Sequence, residues 1–232
     1  MRRARIFLKR FFLCAPKTAY LCRFALWLIS SLAAAQTPVQ PGSNEWAFTT
    51  GGGAHIAGGI REGDFWAVQL RWGRVLTAPR GPGLLRGSLE YAFEVVPAMV
   101  MRRSGILQGT LTIGGRSSAT IEIPVGSQTI FGGGFNPFLL QYNFAGRSPS
   151  DHRFVPFLQA GGGMLFTTDD VPAGTAQFNF TPQGGVGFYW LRGGGPSVVL
   201  GVRYHHISNA GRVTPNPGHN SLYFYCGLAW WR

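Results

Sequence analysis

Ser88-Leu89-Glu90-Tyr91-Ala92-Phe93-Glu94-Val95-Val96 decides the fold. Leu89, Tyr91, Phe93 and Val95 alternate with Ser88, Glu90, Ala92 and Glu94, and a period of two is the signature of a β-strand with two unlike faces. The same alternation recurs seven more times. On one side it sets Trp46 and Phe48; Trp66, Val68, Leu70 and Trp72; Phe138, Leu140, Tyr142 and Phe144; Leu158, Met164 and Phe166. It continues with Phe178, Phe180, Val186, Phe188 and Trp190; Val198, Leu200, Val202 and Tyr204; and Leu222, Phe224, Cys226, Leu228 and Trp230. The opposite faces are small, polar or charged. Nothing after Gln36 carries a sustained helical period.

Eight such segments of about ten residues, with Trp and Tyr near their ends, describe a transmembrane barrel rather than a sandwich. A soluble sandwich would have to cover many exposed Phe and Trp side chains. The fold class expected is all-β, an eight-stranded antiparallel outer-membrane β-barrel with its apolar face in lipid. Glu90, Glu94, Arg71 and Arg203 lie on the other face and are expected to pair as a plug in the narrow lumen, which leaves little room for a pore. With both ends in the periplasm, external connections fall at 57–64, 97–129, 168–175 and 209–218. Internal ones fall at 78–87, 145–152 and 192–197. Alternation at Thr110–Ile113 and Thr120–Ile123 suggests that the longest connection carries a β extension.

The first thirty-five residues stand apart. They hold seven cations (Arg2, Arg3, Arg5, Lys9, Arg10, Lys17 and Arg23) and no acid, then the apolar run Phe24 to Leu32 and Ala33-Ala34-Ala35. This order is that of a secretory signal cut before Gln36, so residues 1–35 are assigned to the leader and 36–232 to the barrel. The apolar run is too short for a membrane-spanning helix. Seven of the chain's 21 Lys and Arg leave with the leader, and 14 then face 9 acids. With no basic helix or RNA-binding signature, that modest excess gives no case for a nucleic-acid partner. Cys226 is the one cysteine outside the leader, so no internal disulfide or zinc pattern forms. No cofactor or metal is called for. Assembly as a homodimer is left open.

The stretch Gly201 to Ser221 holds the chemistry. His206 and Ser208 share a face, and a hydroxyl beside an imidazole is the minimum equipment for acyl transfer. By parity both continue the lipid-facing row of Val198 to Tyr204, and Asn220 continues that of Leu222 and Phe224 on the hairpin partner. Polar groups on a lipid face are costly, which favours a functional reading. His205 and His219 have lumen parity and read as structural, His205 as a hydrogen-bonded filler. Arg102, Arg103, Arg116 and Arg212 lie on external connections, where they can meet phosphates.

His206-Ile207-Ser208-Asn209-Ala210-Gly211 followed by Asn216-Pro217-Gly218 resembles the signature of the outer-membrane lipid A 3-O-deacylases (the PagL family). The resemblance implies hydrolysis of a 3-hydroxyacyl ester of lipid A, with lipopolysaccharide in the outer leaflet as partner and substrate. It implies Ser208 as nucleophile and His206 as general base. Asn209, with backbone N–H groups of Ala210 and Gly211, would serve the oxyanion. The family's third member is Glu, whereas this chain has Asn220. An amide can fix the imidazole tautomer but supplies no charge. Asp169, Asp170, Glu62 and Asp64 are candidates for a substitute acid. The alternative function is a non-enzymatic barrel, structural or adhesive.

Overall fold

The computed structural model describes residues 39–113, 117–145, 153–192 and 195–232. The leader assigned to 1–35 and its cut before Gln36 lie outside them. The strands are β1 (Asn44–His55), β2 (Arg61–Val75), β3 (Gly87–Ile113), β4 (Ser117–Phe144), β5 (Phe154–Thr167), β6 (Phe178–Phe180), β7 (Gln183–Trp190), β8 (Ser197–Ile207) and β9 (His219–Trp231). All neighbours are antiparallel. β9 pairs with β1, and β4 pairs with β5, so the sheet closes on itself. β6 and β7 are two segments of one stave, and the barrel therefore has eight. The break falls at Thr181-Pro182, where proline has no N–H to give the ladder.

Exposure follows the alternation read from the sequence. Trp46, Trp66, Phe138, Leu158, Val186 and Phe224 are all more than half exposed on the outer wall. A wall of that kind in water would be an aggregation surface; in a bilayer it is the lipid face.

The lumen is filled by arginine-centred clusters. Arg71 donates to Glu45 at 2.7 Å, Glu90 at 2.9 Å, Gln141 at 3.0 Å and Gln159 at 3.3 Å. Arg203 forks onto both oxygens of Glu94 at 2.9 and 3.0 Å and stacks over the Tyr225 ring. These are the pairings expected of the plug. Two interior voids among the described residues, one beside Phe65 and His205 and one beside Arg71 and Arg203, hold only about 20 and 10 Å³, room for about one water each.

Two expectations change. The connection 97–129 is not a loop with a short extension: β3 and β4 continue as one ribbon, paired from Gly87↔Phe144 to Ile113↔Ser117. Arg103, expected on an external connection, lies inside the barrel with 4 % exposure. The register shift between Val96 and Met99 moves the inward row of β3 from even to odd positions, so Met99, Met101 and Arg103 turn inward. Arg103 there pairs with Glu62, donates to Gln128 at 3.1 Å and lies 3.6 Å from Asp169.

Candidate active site

β8 carries the site because its pleat separates two rows. Val199, Arg203 and Ile207 are buried inside, whereas Leu200 and Tyr204 are exposed outside. His206 and Ser208 continue the outer row, both half-buried. They therefore stand on one wall, two positions apart, on the lipid side of the barrel.

β8 and β9 are hairpin neighbours, and their register places His206 directly opposite Asn220. The imidazole Nδ1 lies 2.5 Å from Asn220 Oδ1. An amide oxygen only accepts, so the ring proton sits on Nδ1 and the Nε2 lone pair is left as a base. The Tyr204 hydroxyl donates to the same Oδ1 at 2.7 Å. From the far side, the Asn220 amino group donates to the carbonyls of Gly58 and, at 3.4 Å, Ala57.

Past Ile207 the strand stops. Ser208 makes a single bridge to Phe180, accepting from its N–H at 2.8 Å and donating its own N–H at 3.1 Å. Pro182, at the break in the neighbouring stave, accepts the His206 N–H at 3.1 Å. The proline that interrupts β6 and β7 thus holds the backbone of His206. Ala210 (φ +55°) and Gly211 (φ +76°) then reverse the chain. Asn209 organises that turn: its Oδ1 accepts from Gly211 N–H at 2.9 Å and its amino group donates to Val213 O at 3.0 Å. Among the described residues, the Ala210 N–H makes no hydrogen bond.

Asn216 enters the sequence reading as part of the motif, with no role assigned to its side chain. It lies close to the site: its Oδ1 accepts the Asn209 N–H at 3.1 Å, one residue from Ser208. Among the described residues its amino group has no partner. Gly218 (φ +69°) presses its backbone on the imidazole, where a Cβ would lie 2.6 Å from Cε1. Only glycine fits that approach.

No hydrogen bond joins Ser208 Oγ to the ring among the described residues. The serine–histidine pair that is bonded is the inner one, Ser221 Oγ to His219 Nε2 at 2.8 Å. Ser221 and His219 are fully buried in the lumen, so no lipid reaches them, and for His219 this agrees with the reading from parity. His205 also points inward, between Phe65 and Tyr223, but its Nδ1 is buried without a partner rather than hydrogen-bonded. Of the four acids considered as substitutes, the carboxylates of Glu62, Asp64 and Asp169 are committed elsewhere. Glu62 is paired with Arg103 and accepts Ala173 N–H at 3.1 Å. Asp169 accepts from Gln128 and from the Asp170 N–H, Asp170 gives its carbonyl to Arg103, and Asp64 accepts from His55 N–H. Among the described residues, none of the four bonds to His206.

Below the site the outer wall is hollowed into an apolar trough of about 770 Å³, lined among others by Gly52, Trp66, Phe188, Leu200, Val202 and Cys226. Val202 is four residues before His206 on the same row, about 13 Å down the strand.

Residues 128–229 match the family model of lipid A 3-O-deacylase (PagL). The matched span runs from β4 to β9 and includes His206, Ser208, Asn216 and Asn220. The resemblance to lipid A deacylases read from the motif is thus borne out over these residues, and the chain is a bacterial outer-membrane barrel. The crystal structure of the outer-membrane enzyme PagL is 19% identical, covering 79% of this chain and 98% of that one with a TM-score of 0.49. OprG from Pseudomonas aeruginosa is 12% identical over 83% of this chain and 97% of that one (TM-score 0.48), and the neisserial surface protein NspA 12% over 82% and 96% (TM-score 0.42). No curated protein matches.

Proposed function

We propose that this barrel hydrolyses the 3-O-linked hydroxyacyl ester of lipid A from the lipid-facing side of its wall. The observation that carries the reading is the 2.5 Å contact of His206 Nδ1 with Asn220 on the outer wall, in one row with Ser208 and within the matched span. In the reaction, Ser208 Oγ attacks the ester carbonyl and passes its proton to His206 Nε2. The tetrahedral intermediate then expels the glucosamine 3-oxygen, which takes that proton back. Water repeats the sequence on the acyl-serine and releases a 3-hydroxy fatty acid, leaving a free 3-hydroxyl on lipid A. Asn220 holds the imidazole in the productive tautomer.

The oxyanion falls to the turn after Ser208. Ala210 supplies its unpartnered N–H, Asn209 and Gly211 hold the turn in shape, and the Asn216 amino group is a second donor. The trough accepts the acyl chain, because an apolar hollow in the row of the base is what a lipid ester needs beside its carbonyl. Residues 1–35 are the export signal, and the enzyme begins at Gln36.

Mass spectrometry of lipid A from cells expressing wild type and Ser208→Ala tests the proposal. Loss of one 3-hydroxyacyl chain with wild type alone is expected. The missing Ser208–His206 hydrogen bond favours the second reading, a non-enzymatic barrel, and undeacylated lipid A in both strains would select it.

A further inference from the structure

Asn220 satisfies every hydrogen-bonding group of a carboxamide. Such a side chain has two acceptor sites and two donors. Here Oδ1 takes the Tyr204 hydroxyl at 2.7 Å and the His206 ring at 2.5 Å, while Nδ2 gives to the carbonyls of Gly58 and Ala57. The carbonyls are not free to turn away. The β1–β2 connection is bolted to the start of β9 by Ile56 N–H to Asn220 O at 3.0 Å and Ile60 N–H to Gly218 O at 2.9 Å. Gly58 (φ +99°) and Gly59 let the backbone come this close: a Cβ on Gly58 would lie 2.9 Å from Asn220 Nδ2, and one on Gly59 2.8 Å from Gly218 O.

A carboxylate at this position would meet those two carbonyl oxygens with an anionic oxygen and no proton to offer. It would lose both donated bonds and be repelled besides. We propose that the Ala57–Gly58 carbonyls and the Tyr204 hydroxyl are positioning groups for the base, and that they make the site selective for a neutral amide as its third member. The carbonyls fix which end of Asn220 faces the ring, and Tyr204 holds the oxygen in line with Nδ1. Asparagine is thus the residue this scaffold requires and not a weakened acid. This rests on the deacylase reading for its kinetic consequence, but the hydrogen-bond arrangement stands without it.

The test compares Asn220→Asp and Tyr204→Phe with wild type in detergent, on purified lipid A, after gel mobility with and without heating has shown each barrel folded. Asn220→Asp is expected to lose at least tenfold in kcat at pH 8 with KM little changed. Its rate relative to wild type should rise as pH falls to 5, because a protonated carboxyl regains a donor for Gly58. Tyr204→Phe is expected to lose a few-fold in kcat with KM unchanged. Asn220→Asp at or above the wild-type rate at pH 8 overturns the proposal. Hydrogen exchange of the Asn220 side-chain amide, followed by NMR on isotope-labelled wild type, reads the arrangement without catalysis. Protected amide protons support it, and free exchange overturns it. Undeacylated lipid A with wild type but protected amide protons would instead count against the deacylase reading alone.

Discussion

Arg71→Met should destabilise the barrel far more than it alters the outer wall. In the folded chain Arg71 is the cation between Glu45 and Glu90, and both acids are fully buried. Methionine fills similar volume but leaves two buried carboxylates facing each other and the Gln141 and Gln159 oxygens without that donor. Removing one partner of a buried ion pair costs about 3–5 kcal/mol, chiefly through the charge left behind. With a urea slope of about 1–3 kcal/mol/M, the midpoint should fall by on the order of 1–5 M. The measurement is reversible urea unfolding in lipid vesicles, followed by tryptophan fluorescence. The triple variant Arg71→Met, Glu45→Gln, Glu90→Gln removes the charges together and should recover most of the loss. Single-variant stability within about 0.5 kcal/mol of wild type would refute the reasoning, as would a triple variant no better than the single.

Four further outcomes are expected. Leu200→Arg places a cation on the lipid face and should cost up to about 2–4 kcal/mol of stability in vesicles, depending on its depth; no cost would place the apolar face elsewhere. Gly218→Ala puts a methyl within 2.6 Å of the imidazole Cε1 at φ +69°, so deacylation should fall at least tenfold while the barrel still shows its folded gel mobility. Ser221→Ala removes the buried bond to His219 and should cost about 1 kcal/mol with deacylation retained; its loss would move the nucleophile to the inner pair. Gly52→Leu fills the trough against Trp66 and should shift preference toward shorter acyl chains, read by mass spectrometry of the released fatty acids.

Much of this was legible in the chain because a β-pleat has a period of two and a barrel has two unlike sides. Leu89, Tyr91 and Phe93 sufficed to orient β3, and the same parity put His206, Ser208 and Asn220 outside. What was hidden has two physical causes. Register shifts invert parity without a mark in the alternation: those near Pro97 and at Gly63 turned Arg103 and Glu62 inward and joined them. The second cause is sequence distance. The hold of Gly58 on Asn220 spans 162 residues, and no local pattern announces it. The Gly-rich 57–64 connection read as a loop. Its glycines serve close approach to β9, seen only once the barrel closes.

The same geometry ties the inner and outer chemistries together. His205 and His206 are successive residues on opposite faces, as are His219 and Asn220. A slip of one residue by β9 would therefore bring His219 and Ser221 to the lipid and turn Asn220 inward, and a slip by β8 would bury His206 inside. The outer side chains do little to forbid such a slip, since lipid accepts Leu, Val or Phe in any order. The lumen forbids it. Arg203 must meet Glu94 across the barrel at 2.9 Å, and Ile207 is buried completely between His206 and Ser208 in the chain. An arginine turned out into lipid without its partner would cost several kcal/mol. The inner ion pairs thus set the register that aligns His206 with Asn220, although among the described residues none of them bonds to either side chain.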